Sequence, residues 1–369
     1  MSKSQQPKLW LPNAYEKVLA IRAETDKVVV GMDEEKLYTL VALLAPGLNN
    51  HLLIEAVPGL GKTLWGKTLA AVCDMKFSRI QFMPDMRPSA IRGIERSIPG
   101  EREHEFTQGK IFANFVLGDE INRTPPTTSA ALLDPMEELH ISTDFCGTFE
   151  FKKMGLLPFF VFCTENPTEQ DGTYPLAEAQ KDRFMMRIWA NYLSHEEMVE
   201  VMKADELDVE LTEGDKADII SDKILQKKQV NKVINKDDIM RIRVAIDKEI
   251  GMSNQILDDI VTIIELTRPQ VSEFADQEKA NRIAEGDIVY GGSTRVPLAM
   301  RRASKALAFL RGRDWVVPSD IMELAYLILN HRIIYKSGIE PENQPDILKN
   351  ALNKIFLEVF GRIPDADTT

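Results

Sequence analysis

The sequence predicts an α/β fold, in which a five-stranded parallel sheet is followed by an all-α domain. Residues 1–193 alternate short apolar runs with helical stretches, the order typical of a parallel sheet covered by helices. From Ser194 onward, apolar residues recur with helical spacing and the strand signal stops. We therefore predict an α/β domain at 1–193 and an all-α domain at 194–369, with a charged segment near 203–237.

Five apolar runs are the predicted strands of this sheet. They are short and mostly apolar, as is typical of strands that are buried on both faces. In chain order they lie at 52–57, 77–83, 115–119, 159–164 and 185–191.

Composition limits the class of protein. The 369 residues carry a net charge of −12, which argues against nucleic acid as a partner. No apolar run reaches the roughly 18–20 residues that span a bilayer, so we expect no membrane insertion. The first twelve residues lack the basic-then-apolar order of a signal peptide, which predicts a cytoplasmic protein.

The first predicted strand leads into a phosphate-binding pattern of the form GxxxxGK[ST]. Gly59 and Gly61 allow positive φ and a close approach of backbone N–H groups to phosphate. Lys62 would reach the β- and γ-phosphates, and the Thr63 hydroxyl would bind Mg²⁺. The predicted nucleotide-binding residues here are Pro58, Gly59, Leu60, Gly61, Lys62, Thr63 and Leu64. The alternative is a glycine-rich strand-to-helix turn without a ligand.

The first glycine of this pattern is replaced by Ala56. If that position required positive φ, the methyl group would cost about 1–2 kcal/mol. ATP affinity would then be reduced, although the loop would survive.

An acidic pair, Asp119 and Glu120, follows the third predicted strand, 57 residues after Lys62. The carboxyl ends of strands are where open α/β sheets bind ligands. We expect Asp119 to bind Mg²⁺ and Glu120 to activate water as a general base. Acidic pairs also occur as charges at helix N-termini, which is the alternative interpretation.

Asn166 and Arg183 complete the predicted catalytic set. Asn166 follows the fourth strand, where it could bind the γ-phosphate or the attacking water, or form a turn ahead of Pro167. Arg183 lies in a short predicted helix at 176–184 and is suited to a γ-phosphate across a subunit boundary. An ordinary surface ion pair is the alternative for this arginine.

Six segments in a fixed order resemble the MoxR family of AAA+ ATPases, within the helix-2-insert clade. They read AVPGLGKT, RIQFMPDMRPSAIRG, GKIFANFVLGDEINRTPP, SAALLDPMEE, FCTENPTEQDGTYPLAEAQKDRF and GGSTRVPLAMRRASKALAFLRGRDWVVPSD. The resemblance as a whole covers about residues 28–332. The resemblance implies a homohexameric ring with ATP between subunits. Asn166 would be sensor 1, Arg183 the arginine finger and Arg295 the sensor 2 of the lid. It also implies insertions near 84–106 and 139–151.

The same resemblance implies what the ring acts on. It indicates chaperone-like remodelling or maturation of a protein complex, driven by Mg²⁺-dependent ATP hydrolysis, with a protein client and a partner that carries a von Willebrand factor A domain. Two alternatives remain at this point. One is a DNA-acting motor of the same clade, against which the acidic charge argues. The other is a nucleotide-gated scaffold with little turnover, suggested by Ala56.

Overall fold

The computed structural model describes residues 14–56, 59–99, 103–166, 172–190, 192–205, 217–269, 280, 283, 287–339 and 343–364. Pro58, the predicted strand ends at 57 and 191, and part of the charged 203–237 segment lie outside the described residues. Its strands are β1 (Leu52–Ala56), β2 (Phe77–Gln81), β3 (Gly93–Ser97), β4 (His104–Gln108), β5 (Phe115–Asp119), β6 (His140–Ser142), β7 (Thr148–Glu150), β8 (Phe160–Glu165), β9 (Met186–Ala190), β10 (Ile288–Tyr290) and β11 (Ile334–Tyr335).

The α-helices are α1 (Ala14–Asp26), α2 (Asp33–Leu44), α3 (Lys62–Val72), α4 (Pro88–Arg92), α5 (Pro126–Glu138), α6 (Glu178–Lys181), α7 (His195–Asp205), α8 (Ala217–Lys227), α9 (Lys236–Glu249), α10 (Asn254–Leu266), α11 (Arg295–Leu310), α12 (Pro318–Leu329) and α13 (Gln344–Phe360). No helix among the described residues is long and apolar enough to cross a bilayer.

The predicted five-stranded parallel sheet is confirmed, and its strand order is β2-β5-β8-β1-β9. All four neighbouring pairs run parallel. The central strands β1, β5 and β8 are almost completely buried, which explains why their sequences are nearly continuous apolar runs. Aromatic side chains fill the space above β5, where Phe115 packs against Phe160 and Phe162.

Two antiparallel hairpins project from this core. One joins β3 to β4, and the other joins β6 to β7. The carboxylate of Glu95 on β3 accepts the backbone N–H groups of Asp144, Phe145 and Cys146 in the turn of the second hairpin, at 3.2, 3.0 and 2.7 Å. Desolvation raises the pKa of Glu95, but the N–H donors outweigh it and lower the pKa to about 2. A charged hydrogen-bond cluster therefore links strand β3 of the first hairpin to the turn of the second.

The described residues of the second half of the chain are mostly helical, as predicted. The strands β10 and β11 pair as a small antiparallel sheet, which the sequence did not predict. They contain only three and two residues, so neither produces a local pattern. In the helical half, α11 packs against α12, α10 and α9, and their buried side chains belong to the same apolar cluster as residues of β1, β5 and β8.

The imidazole of His51 fixes the end of α5 to the sheet. It lies directly before β1, is fully buried, and its Nε2 lies 3.0 Å from the Met136 carbonyl oxygen. Its Nδ1 accepts the Val161 N–H at 3.1 Å, so the ring is neutral with the proton on Nε2. Burial is the main cause that lowers the pKa of His51 to about 4.

His51 predicts how the free energy of unfolding depends on pH. Its pKa is about 4 in the folded chain, against 6.5 for an ordinary histidine, so the unfolded chain binds the extra proton between these values. Stability from this group is complete above pH 6.5 and is lost as the pH falls towards 4, by about 3 kcal/mol. We expect urea unfolding of His51→Gln between about pH 7.5 and 4.5 to show a shallower pH dependence than the native chain. His140→Gln, at a half-buried position, is the comparison variant and should keep the native slope. Equal slopes for all three proteins would contradict this role.

Candidate functional site

The loop after β1 has the open backbone that a phosphate-binding site needs. Gly59 and Gly61 have φ of 90° and 71°, and a Cβ built on either would meet nothing within 4 Å. Positive φ is a conformation that glycine adopts without steric cost. Helix α3 begins directly after Gly61, so its N-terminal N–H groups and its positive dipole end face this space.

Ala56 does not strain this loop. It is the last residue of β1, it pairs with Ala190 of β9, and it is absent from the positive-φ residues of the described chain. The cost considered for its methyl group therefore does not arise. The Lys62 ammonium donates to the Ala56 carbonyl at 3.1 Å, which places this lysine over the mouth of the loop.

The predicted catalytic residues at the carboxyl ends of the strands come together. Asp119 ends β5 and Asn166 follows β8, and β8 lies between β5 and β1. With strands about 4.8 Å apart, Asp119 and the phosphate-binding loop are separated by roughly 10 Å, with Asn166 between them. Burial lowers the pKa of Lys62, while the charges of Asp119 and Glu120 act on it in the opposite direction. One edge of the sheet therefore holds the lysine, both carboxylates and the asparagine.

Both carboxylate oxygens of Asp119 have protein partners. The Arg79 guanidinium lies 2.7 Å from Oδ2, and the Thr164 hydroxyl donates to Oδ1 at 2.8 Å. Arg79 comes from β2, two residues before Gln81, whose backbone is in register with Asp119. The Asp119 carboxylate is thereby held in one orientation by a charge and by a hydroxyl.

Glu120 is held just as tightly. Its backbone is left-handed, with φ 58° and ψ 51°, and its N–H donates to the Thr164 hydroxyl at 3.0 Å. The Gln81 amide donates to its Oε2 at 2.8 Å, and Arg123 Nε lies 3.2 Å from the same oxygen. An L residue in this conformation costs about 1–2 kcal/mol, and such strain is characteristic of sites where a side chain is aimed precisely.

Arg79, Gln81 and Thr164 were not predicted as site residues from the sequence. A signal for the first two was present, because they are alternate polar residues in a strand that belongs to a buried sheet. Thr164 directly precedes the Glu165-Asn166 end of β8 and looks like an ordinary strand residue. Only the register of the three strands shows that these side chains reach Asp119 and Glu120.

Arg183 and Arg295 lie at the opposite edge of the sheet. Arg183 comes three residues before Met186, which pairs with Leu52 at the start of β1. The phosphate-binding loop follows the end of β1, and five residues at about 3.3 Å each separate the two edges by roughly 17 Å. Neither arginine is placed beside Lys62.

Carboxylates hold both arginines at this edge. Arg183 Nη1 lies 2.6 Å from Asp134, and its Nε lies 3.6 Å from Glu137. Arg295, from the first turn of α11, bonds the other oxygen of Glu137 and lies 3.1 Å from Asp182. The core arginine and the lid arginine therefore share one carboxylate.

A cavity of about 190 Å³ opens beside these groups, between the core and the lid. Four arginines line it against two carboxylates, which gives it a positive balance of charge. They are Arg183, Arg295, Arg302 and Arg332, with Glu137 and Asp182. Such a cavity can accept an anionic group such as a phosphate.

Comparisons with known proteins agree with this arrangement. Residues 51–186 match the family described as ATPase family associated with various cellular activities (AAA), and residues 280–351 match the AAA lid domain. Chaperone MoxR1 of Mycobacterium tuberculosis is 33% identical over 92% of this chain and 82% of its own length. The chain belongs to the MoxR family of AAA+ ATPases.

Further relatives of this MoxR-family chain cover most of its length. The uncharacterized protein YeaC of Bacillus subtilis is 35% identical over 84% of each chain, and the protein MoxR of Methylorubrum extorquens is 26% identical over 88% of this chain and 91% of its own. The crystal structure of a candidate ATPase from Cytophaga hutchinsonii superposes with a TM-score of 0.74 at 35% identity, covering 91% of this chain and 94% of that one. The fold is thus an α/β AAA+ core with a helical lid.

The Arg79–Asp119 pair predicts a link between nucleotide binding and stability. Both side chains are largely buried, so Arg79→Met leaves a carboxylate without its charge partner, at a cost of about 2–3 kcal/mol. A bound Mg²⁺–nucleotide would supply the missing positive charge. We expect a lower melting temperature without ligand and a larger increase on adding Mg-ADP than in the native chain.

Arg96→Met is the matched control, because Arg96 is exposed on β3. It should leave both melting temperatures at their native values. An Arg79→Met protein whose Mg-ADP shift equals that of the native chain would show that Arg79 does not compensate the charge of Asp119.

Proposed function

We propose that this protein hydrolyses ATP, with Mg²⁺, at sites shared by neighbouring subunits of a homohexameric ring. The observation that supports this best is the separation of the two sets of groups. Lys62, Asp119 and Glu120 lie at the carboxyl edge of the sheet, whereas Arg183 and Arg295 lie at the amino edge. An arginine cannot cross the length of β1, so one subunit cannot bring both sets to one nucleotide.

The carboxyl edge would bind the nucleotide and the attacking water. The N–H groups around Gly59 and Gly61 and the Lys62 ammonium would bind the phosphates. The oxygen ligands of Thr63 and Asp119 fit Mg²⁺, which would neutralise charge on the phosphate oxygens. Glu120 would accept a proton from water, and Asn166 would orient that water. Leu60 lies between the two glycines, Leu64 follows Thr63 in α3, and Pro58 belongs to the same pattern.

The amino edge would serve the nucleotide of the next subunit. In a heterologous ring, one face of each subunit meets the opposite face of its neighbour, which allows the two edges to meet. Arg183 would then stabilise charge that develops on the transferred phosphoryl group, a contribution worth roughly 10³–10⁵ in rate in P-loop enzymes. Arg295 shares Glu137 with Arg183, so we propose that it acts at this same neighbouring nucleotide.

The work of the ring would be chaperone-like remodelling or maturation of a protein client. Family membership and the relative named Chaperone MoxR1 support this use. We further propose a partner with a von Willebrand factor A domain and a cytoplasmic location. The net charge of −12 favours a protein client over nucleic acid.

Two substitutions separate nucleotide binding from hydrolysis. Lys62→Ala removes the ammonium over the loop, and we expect it to abolish binding of a fluorescent ATP analogue. Glu120→Gln keeps the shape and loses the base, so it should bind the analogue normally and hydrolyse roughly 10²-fold more slowly or worse. Normal analogue binding by Lys62→Ala would remove that residue from its proposed role.

Mixing experiments test the shared site directly. The ATPase rate per subunit should rise with protein concentration as rings form, followed by light scattering on the same samples. Arg183→Ala should bind ATP but show almost no turnover. Mixing it in equal amounts with Glu120→Gln should restore part of the activity, because about a quarter of the interfaces then join an intact Glu120 to an intact Arg183 if subunits mix at random.

The control is Arg183→Ala mixed with a subunit that carries both substitutions, which supplies no finger and should stay inactive. Arg295→Ala should show the same pattern of rescue as Arg183→Ala. A failure of Glu120→Gln to rescue Arg183→Ala, with mixed rings present, would contradict the shared site.

A further inference from the structure

The last turn of α5 carries two carboxylates that each hold two arginines. Asp134 contacts Arg183 through Oδ1 at 2.6 Å and Arg92 through Oδ2 at 2.8 Å. Glu137 contacts Arg183 through Oε2 and Arg295 through Oε1. Arg183 is therefore the centre of a cluster whose outer members come from α4 on one side and from the lid on the other.

Arg92 is the last residue of α4 and directly precedes the β3–β4 hairpin. Its Nε and Nη2 also donate to the carbonyls of Ala131 and Ala130, at 3.0 and 3.1 Å. The guanidinium is thus fixed on α5 by three different acceptors, of which the Asp134 carboxylate is the charged one. A change in the position of Asp134 therefore acts directly on Arg92, through their ion pair.

The base of the hairpin is too tightly packed to absorb such a change. A Cβ on Gly93 would lie 2.4 Å from the Thr107 carbonyl oxygen, and one on Gly109 would lie 2.2 Å from the Ile91 carbonyl oxygen. Gly93 has φ 108°, which glycine alone adopts readily. Because packed cores are not continuously deformable, displacement of α4 moves the hairpin as a unit.

We propose that Asp134 is a positioning residue that couples Arg183 to the β3–β4 hairpin. This inference rests on the proposed function of Arg183 at the neighbouring subunit. When Arg183 turns towards a phosphate of the neighbour, it leaves Asp134 Oδ1, and the carboxylate is then held by Arg92 alone. Nucleotide binding at one site in this way changes the position of the β3–β4 hairpin in the adjacent subunit.

The link continues to the second hairpin. Glu95 lies two residues beyond Gly93 on β3 and binds three N–H groups of the β6–β7 turn. The ring of His104 on β4 also stacks on Phe145 of that turn, with centroids 4.1 Å apart. Both hairpins should therefore respond together.

The first test measures catalysis. Asp134→Asn keeps the size of the side chain and removes its charge, so Arg183 loses its shortest ion pair. We expect kcat to fall by roughly 10- to 100-fold, the scale of a misplaced catalytic group, while KM for ATP changes by less than about twofold. Asp134→Glu, which restores the carboxylate, should recover part of the loss.

Glu138→Gln is the matched control. Glu138 lies on the same turn, is exposed, and its one ion-pair contact within the described residues is with His140. This variant should leave kcat and hairpin exchange at native values. Ion pairs as exposed as Asp134–Arg183 and Asp134–Arg92 contribute little to stability, so all the variants should fold, which thermal melts and light scattering would verify.

The second test measures coupling by amide hydrogen exchange of residues 93–99 and 103–108. In native rings, a slowly hydrolysed ATP analogue should change this exchange, and the change should be several-fold smaller in Asp134→Asn and in Arg92→Gln. The double variant should show no further loss, which is the non-additivity expected of groups that act in one chain.

The outcomes separate the two proposals. Native protein that neither binds nor hydrolyses ATP would overturn the proposed function itself. Native protein that hydrolyses ATP, together with an Asp134→Asn variant that matches Glu138→Gln in kcat and in hairpin exchange, would overturn the coupling role alone.

Discussion

The direction of the parallel strands is the constraint on which the site depends. Because β1, β5 and β8 all run the same way, everything that follows a strand collects at one edge and everything that precedes a strand collects at the other. The phosphate-binding loop, both carboxylates and Asn166 follow strands. Arg183 precedes one, and His51 with its bond to Met136 fixes the end of α5 beside it. The roughly 17 Å between the edges is set by strand length and cannot be shortened by side-chain motion.

Sequence reasoning selected residues that lie in contiguous motifs, at both edges of the sheet, and missed residues whose position depends on contacts between distant segments. The sheet and the group around Lys62, Asp119 and Glu120 come from contiguous motifs, in which the residues that act together are neighbours in the chain. Arg79 and Gln81 depend on the register of β2 with β5, and Asp134 depends on where α5 ends in space. The small β10–β11 sheet was missed for the same reason, since its two strands are short and far apart in sequence. Contacts of this kind leave no periodic signal.

Ion pairs hold the proposed catalytic side chains at both the carboxyl and the amino edge of the sheet. At the carboxyl edge Arg79 holds Asp119, and at the amino edge Asp134 and Glu137 hold Arg183. Each of these groups, which the proposed reaction needs, already has a partner of opposite charge within its own chain. Such partners keep the side chains ordered. In the proposed reaction, groups of the bound Mg²⁺–nucleotide would replace them. Partners are replaced more easily at the amino edge, because the ion pairs there are half-exposed and contribute about 0–1 kcal/mol each to stability.

The network at the amino edge has one fixed end and one movable end. Arg332 is buried, lies 2.7 Å from Asp182, and also donates to the carbonyls of Ile328 and Met185 at 2.6 and 3.1 Å. Breaking a buried pair of this kind is strongly unfavourable, so this end ties the lid to the core. Arg183 is at the other end, where a triphosphate carries more negative charge than either carboxylate that holds it. The half-exposed ion pairs of Arg183 therefore break more easily than the buried Arg332–Asp182 pair. Arg183 can move while the contact between lid and core stays in place.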